Sequence, residues 1–416
     1  MSVDSVTPFR RLASSAASPG PNSTLVIIIL TSALVLADWS FVAAAQDLAS
    51  AAMELIGDTS FWLFALVIAG FVVWRSVRGE PPLVGSSERV AANAPQRQCL
   101  AAAPMSLFGG GFASIFTGVA AYGPIRSESE ALQVSIRANA LAAPLCALSL
   151  FNLWPIYFLS VFSQAAPDMR WSTYVIGLCF QVYSIAVIGL VVASIARVPR
   201  RWMIRSPVNG LMRWSGFLVF VVCVCLGMIH RSQGPSEAFF IWVLIGLAIA
   251  TLIDGYQTPR KRLTLGSIIR RSATSNLPLL VMLFLIFLLI QLVQDSNFGE
   301  TAWVDLSLPF PLLTAFLATA FLALLTGSSW AAAGALAPLL LVPSEPVPPA
   351  LLGAILSGAV LGDHAAPHSD TTIGAAAATG VSPLSVSARQ HRIVLFGASL
   401  SALIYICLDL VTLFNS

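Results

Sequence analysis

Gly362-Asp363-His364-Ala365-Ala366-Pro367-His368-Ser369-Asp370-Thr371-Thr372 is the most polar stretch inside a long apolar run. Leu, Ala, Ile, Val and Gly dominate 350–361 and 373–379 on either side of it. Two Asp and two His fall within residues 363–370. An Asp at the bilayer centre costs about 2.5–3.5 kcal/mol on insertion scales, so such groups face a bundle interior and mark ion or substrate paths. Pro367 has no N–H and its ring clashes with the carbonyl four residues earlier, so a helix must break here. The freed carbonyls, the hydroxyls of Ser369, Thr371 and Thr372, and the carboxylates Asp363 and Asp370 form a hard, oxygen-rich set suited to Na+ or H+.

Composition makes lipid the solvent. Of 416 residues, 57% are hydrophobic and 10% charged, against about 25% charged in a soluble domain. A soluble chain so poor in charge could not cover its own surface. About 20 apolar residues cross a hydrocarbon core roughly 30 Å thick. Apolar segments fall at about 23–37, 60–77, 99–123, 138–163, 172–196, 214–230, 238–256, 276–294, 310–342, 350–379 and 393–413. Residues 1–22 read as a disordered tail, 23–37 as an uncleaved first span and 38–58 as an interfacial helix. The six cysteines show no disulfide or zinc spacing and read as small core or lipid-facing residues.

Basic residues cluster in loops, which reports topology and not nucleic-acid binding. Arg197, Arg200, Arg201, Arg205 and Arg213 crowd 197–213, and Arg260, Lys261, Arg262, Arg270 and Arg271 crowd 257–275. Both loops are expected in the cytoplasm, and the acidic 295–308 outside. Working backwards from these, 99–123 must begin and end inside, as a re-entrant hairpin turning at Gly109-Gly110-Gly111. Segment 310–342 becomes a second hairpin entering from outside and turning at Thr326-Gly327-Ser328-Ser329-Trp330. A Pro-containing segment follows each hairpin: 138–163 with Pro144, and 350–379 with Pro367. Two such pairs of opposite orientation form an inverted repeat, the pattern of secondary transporters whose site lies where broken helices meet. The expected fold is an all-α polytopic membrane protein with nine spans and two hairpins. Its expected parts are the tail 1–22, N-terminal helices and a cytoplasmic loop over 23–98, a first repeat over 99–196, central helices over 197–294 and a second repeat over 295–416.

The 362–372 stretch, preceded by the Thr326–Trp330 element, resembles the NhaC-type sodium/proton antiporter family. That family shows Thr-Gly-Thr-Ser-Trp and then Gly-Asp-His-Cys-Ser-Pro-Ile-Ser-Asp-Thr-Thr. Gly362, Asp363, His364, Pro367, Ser369, Asp370, Thr371 and Thr372 match it. Ala142-Ala143-Pro144 and Trp154 give a weaker match in the first repeat. The resemblance implies two inverted repeats, each with a hairpin and an unwound helix, and cation-coupled exchange. Departures are Gly110-Gly111 where an Asp pair usually stands, Asn139 in place of an Asp, Ala365-Ala366 for Cys-Ser, and His368 for an aliphatic residue.

The expected ion or substrate site therefore gathers Asp363, His364, His368, Ser369, Asp370, Thr371, Thr372, Thr326, Ser328, Ser329 and Asn139. Gly109, Gly110, Gly111, Pro144, Gly327 and Pro367 supply the turns and breaks. Ser114 and Ser328 are expected to face one cavity from opposite sides, while Asp254 and Asp409 read as interfacial. The coupling ion is Na+ or H+, with no cofactor and no metal beyond Na+ at Asp363 and Asp370. The expected setting is the bacterial inner membrane with the N-terminus in the cytoplasm. A homodimer is compatible with this reading. Three alternatives stay open: a symporter or exchanger of a small organic acid or amino acid, a degenerate fold without transport, and an intramembrane metalloenzyme. The last needs His364 and His368 on one face of an intact helix, which Pro367 opposes.

Overall fold

The computed structural model describes residues 94–123, 125–150, 157–159, 161–162, 165–166, 169–196, 215–231, 237–257, 310–341 and 347–415, with scattered positions between 50 and 70 and at 284 and 288. The segments 23–37, 38–58 and 60–77, both basic loops, the acidic loop, 276–294 and Trp154 lie outside the described residues, apart from the scattered positions. Every element among the described residues is helical. In chain order they are α1 (Ala94–Gly109), α2 (Gly111–Tyr122), α3 (Glu128–Ala147), α4 (Trp171–Cys179), α5 (Val182–Ala196), α6 (Ser215–Arg231), α7 (Glu237–Gln257), α8 (Pro311–Thr326), α9 (Ser329–Leu340), α10 (Pro349–Ala365), α11 (Asp370–Thr379) and α12 (Pro383–Asn415).

The chain divides into two compact units. One carries α6 and α7, which pack through Gly246 against Cys223 and Phe220. A Cβ at Gly246 would lie 2.8 Å from that of Cys223, so only glycine admits this approach. The other unit carries α1–α5 and α8–α12 and holds the expected site residues.

In that unit α1 and α2 form a helical hairpin. Gly110 joins them at φ 87°, in the left-handed region that favours glycine. Ser114 Oγ donates to the Ala102 carbonyl at 3.0 Å, and Gly118 lies against Ala102 and Gln98. Pairing of 114 with 102 and 118 with 98 marks antiparallel arms. Ser114 is fully buried between those arms, and its hydroxyl is spent on the Ala102 carbonyl.

The next helix differs from its sequence reading. Ser127 caps α3 by accepting from Glu130 N at 3.2 Å, and the Glu130 carboxylate reaches back to Arg126 N at 2.7 Å. This Ser-x-x-Glu arrangement starts the helix at Glu128, ten residues before the expected 138. Pro144 lies inside α3, which continues to Ala147. The break expected at Pro144 is therefore displaced to the C-terminal end, where Ser149 Oγ turns to the Leu107 carbonyl. Ser106 Oγ sits 3.0 and 2.9 Å from the carbonyls of Leu141 and Ala142, so the α1 arm supports α3 beside its proline.

Segment 172–196 is bent as well. α4 and α5 meet at 46° across Phe180 and Gln181, with neither Gly nor Pro at the bend. Buried side chains stabilise it. Gln181 Nε2 donates to the Ala147 carbonyl at 3.1 Å, and Tyr405 Oη lies 2.7 Å from the Phe180 carbonyl.

Helix α8 opens on Pro311 at its N-terminus and closes at Gly327, which is left-handed at φ 64°. The Asp409 carboxylate on α12 accepts from Leu312 N and Leu313 N, each at 3.1 Å. Asp409 is thus a buried cap on another helix, and its charge complements the positive end of α8. Asp254 stays near the C-terminal end of α7. α8 and α10 approach backbone to backbone, with Gly358 against Phe316 O and Gly362 against Ala320 O. Such close crossings through small residues are how helices pack in lipid, where burial of apolar area gives no drive.

α10 and α11 (together 349–379) and α12 are long and apolar enough to cross a membrane by length and composition. Arg389, His391 and Arg392 lie inside α12, which begins at Pro383.

Candidate functional site

The centre is the interruption between α10 and α11. α10 ends at Ala365, Ala366 turns to extended backbone (ψ 127°), and α11 starts at Asp370 under a Ser369 cap accepting from Thr372 N at 3.2 Å. Pro367 stands in the gap. Two freed carbonyls of α10 are taken by α12: Gln390 Nε2 donates to His364 O, and Ser387 Oγ donates to Ala365 O at 2.7 Å. Ser387 and Gln390 are three apart and share one face of α12.

The turn of the α1–α2 hairpin and the turn between α8 and α9 both reach this gap. A Cβ at Gly111 would meet the Thr371 methyl at 3.5 Å, so the α1–α2 tip touches the start of α11. A Cβ at Gly327 would lie 2.5 Å from the His368 ring, so the α8–α9 turn closes directly on the gap. Ser329 Oγ donates to Asp363 Oδ2 at 3.4 Å, and the Ser369 hydroxyl also bears on that carboxylate. Asp363 is 6% exposed, and Asp370 sits in the first turn of α11.

Other expected site residues have different work. Ser328 caps α9 by accepting from Ala331 N at 3.3 Å. Thr326 Oγ1 donates to Leu322 O at 2.9 Å and accepts from Ser328 N at 3.2 Å. Both shape the turn through their hydroxyls. Trp330 packs on Tyr157 with ring centroids 4.7 Å apart, and Tyr157 Oη donates to the Trp330 carbonyl at 3.0 Å.

The two histidines part company. His364 is fully buried, with Nδ1 2.6 Å from Tyr183 Oη on α5. His368 is exposed, and its Nε2 donates to Leu325 O at 3.2 Å. The imidazole expected to work beside the carboxylates as His368 instead binds a main-chain carbonyl across the turn. The pair does not share a helix face, because α10 stops between them; the arrangement a metalloenzyme reading requires is not made.

Asn139, on α3, is fully buried and joins the same site. Its Nδ2 donates to Thr372 Oγ1 at 3.0 Å and Gln390 Oε1 at 3.1 Å. Ser135, one turn earlier, meets Ala375 O at 3.2 Å and the Thr379 hydroxyl, so α3 and α11 run antiparallel.

Gln390, Ser387 and Tyr183 were not singled out from sequence. A signal for Gln390 exists. Val386, Gln390, Gly397, Ser401, Tyr405 and Asp409 form the buried stripe of α12, at helical spacing. In lipid the polar stripe is the one that faces inward. Arg389, His391 and Arg392 around Gln390 disguise it as a charged flank.

Among solved structures, the chain is similar to MtrF of Neisseria gonorrhoeae, whose report describes a class of antimetabolite efflux pumps. The TM-score is 0.60 at 13% identity, over 96% of this chain and 97% of that one. The likeness establishes the fold of a membrane transporter. No curated protein matches the chain in sequence. Residues 100–410, which include the α1–α2 and α8–α9 turns and the α10–α11 gap, match the profile of the Na+/H+ antiporter family, and the chain belongs to that family, as a multi-pass secondary transporter of the NhaC type.

Proposed function

We propose that the protein is a cation-coupled antiporter that exchanges Na+ or H+ by alternating access around the α10–α11 gap, in a bacterial inner membrane with its N-terminus in the cytoplasm. One observation carries this reading. The α1–α2 turn and the α8–α9 turn meet a single interrupted helix at Thr371, His368 and Asp363, where a buried carboxylate and hydroxyls face each other. Carboxylates exchange a proton for a cation on the same oxygens, so Asp363 and Asp370 can bind either ion but not both at full occupancy. In the inverted-repeat reading the two turns reach mid-depth and give each side of the membrane a short path to those oxygens.

The test is flux in proteoliposomes carrying a pH-sensitive dye. With an imposed inward-acid gradient, a pulse of NaCl is expected to dissipate the gradient in protein-containing vesicles and not in empty ones. Vesicles that respond to NaCl no more than to choline chloride, in either gradient direction, would remove Na+/H+ exchange.

A further inference from the structure

The open end of the α1–α2 hairpin, away from the gap, carries charge that transport does not use. Two guanidiniums gather around Tyr122, the last residue of α2. Arg97 on α1 donates through Nη2 to the Tyr122 carbonyl at 3.2 Å. Arg137 on α3 lies over the Tyr122 ring, its guanidinium carbon 5.7 Å from the centroid. Its Nε donates to Gln98 Oε1 at 3.1 Å. Gln98 is fully buried and donates to the Val134 carbonyl at 2.7 Å, so this amide holds Arg137 in place.

The acids of this corner are spent elsewhere. Glu130 accepts from Tyr122 Oη at 2.6 Å and from Arg126 N at 2.7 Å. Glu128 is exposed in the first turn of α3. Among the described residues neither Arg97 nor Arg137 makes an ion pair, and Arg97 Nε is buried without an acceptor. Exposed Arg126 adds a third positive charge. A guanidinium does not shed its proton, so both half-buried charges persist and call for an anion.

Depth says which anion. Arg97 stands thirteen residues before Gly110 and Tyr122 twelve after it. At 1.5 Å per helical residue they lie about 18–20 Å from the turn. Half the hydrocarbon core is about 15 Å. With the turn at mid-depth, and even with the helices tilted by about 20°, both residues reach the headgroup layer. Leu100 lies one turn from Arg97 on the same face of α1, towards the hydrocarbon, and is 59% exposed. A phosphate above an apolar surface is the chemistry of a phospholipid, and basic pockets between helices bind anionic headgroups.

We propose that Arg97 and Arg137, on either side of Tyr122, bind the phosphodiester of an anionic phospholipid, with Leu100 against an acyl chain, in the leaflet from which the α1–α2 hairpin enters. The planar fork of Arg97 turns its Nε–H and Nη edge to two phosphate oxygens, which completes the unpartnered nitrogen. The depth argument rests on the mid-depth turn of the transport reading; the charges and their missing acid do not.

Thermal unfolding of the purified full-length chain in neutral detergent tests it, with added phosphatidylglycerol, phosphatidylcholine or inorganic phosphate. The wild type is expected to gain in Tm with phosphatidylglycerol over the other two. Arg97→Gln is expected to lose most of that gain, with apparent lipid affinity down about tenfold or more. Arg97→Lys, which keeps the charge but not the fork, is expected to retain part of it. Arg137→Gln is expected to lose part as well and serves if Arg97→Gln does not fold. Arg170→Gln, at an exposed arginine on the N-terminal side of α4, is expected to keep the full gain. Equal gains with phosphatidylglycerol and phosphatidylcholine, or a gain in Arg97→Gln and Arg137→Gln as large as in the wild type, overturn the proposal. An equal gain with inorganic phosphate overturns the lipid as its source. An Arg97-dependent gain in a protein without NaCl-driven flux would refute the antiporter reading and uphold the lipid site. Flux with no Arg97-dependent gain would do the reverse.

Discussion

Asp363→Asn is expected to stop coupled exchange while the purified protein folds as before. The substitution keeps the shape of the side chain and still offers Ser329 an acceptor, but it removes the charge. A charge-assisted contact contributes about 1.5–3 kcal/mol, so cation affinity should fall roughly ten- to a hundredfold. Ser329→Ala removes only one long hydrogen bond to that carboxylate, at 3.4 Å, and should cost a few-fold at most. Stability should move the other way. A buried carboxylate is expensive to keep in a membrane, so the neutral amide should unfold at the same temperature or higher. Flux assays and thermal unfolding on one preparation separate the two effects. A variant that loses Tm and flux together would make Asp363 a structural group.

The second large effect lies where α10 crosses α8. A Cβ at Gly362 would sit 2.2 Å from Ala320 O and 2.5 Å from Leu324 N. Both are backbone atoms of a helix and cannot swing aside, so the helices would have to separate. Gly362→Leu should therefore yield little or no monodisperse protein, and Gly362→Ala should lose about 1–3 kcal/mol or more. Gly189, on the exposed side of α5, has nothing within 4 Å of its Cβ position. Gly189→Ala should be neutral or gain about 0.5–1 kcal/mol, because alanine is the better helix former. Size-exclusion profiles and Tm of the variants give the comparison. A normal profile for Gly362→Leu would mean that α8 and α10 do not meet this closely.

Much of this was legible in the sequence, because breaks in lipid need special residues. Pro367 announces the gap, since it stands among two Asp and two His in an otherwise apolar run. Gly110 and Gly327 announce the two turns, since both need φ positive. Where chemistry and geometry are less tightly linked, the reading fails. Pro144 has the same missing N–H as Pro367, yet α3 runs past it to Ala147 with Ser106 at the neighbouring carbonyls. The bend at Phe180–Gln181 has neither Gly nor Pro, and is held by Gln181 reaching the Ala147 carbonyl and Tyr405 reaching that of Phe180. His368 was placed beside the acids on sequence spacing, but once the helix is interrupted the spacing no longer fixes direction. The direction of Asp409 and Gln390 is not legible from their neighbours in the chain, and Arg389, His391 and Arg392 surround Gln390 with charge. Their 3.6-residue stripe along α12, not their neighbours, tells which way they face.

Access to the gap from both sides of the membrane tests the central claim most directly. Thr371 is half-buried and touches the α1–α2 turn at Gly111. Thr371→Cys is made in a background without the native cysteines and reconstituted in vesicles of known orientation. It is then treated with an impermeant thiol reagent from one side at a time. Alternating access predicts labelling from either side in the absence of a driving gradient, with protection by Na+ from both. Labelling confined to one side under every ionic condition, in a variant that still exchanges ions, would contradict the account.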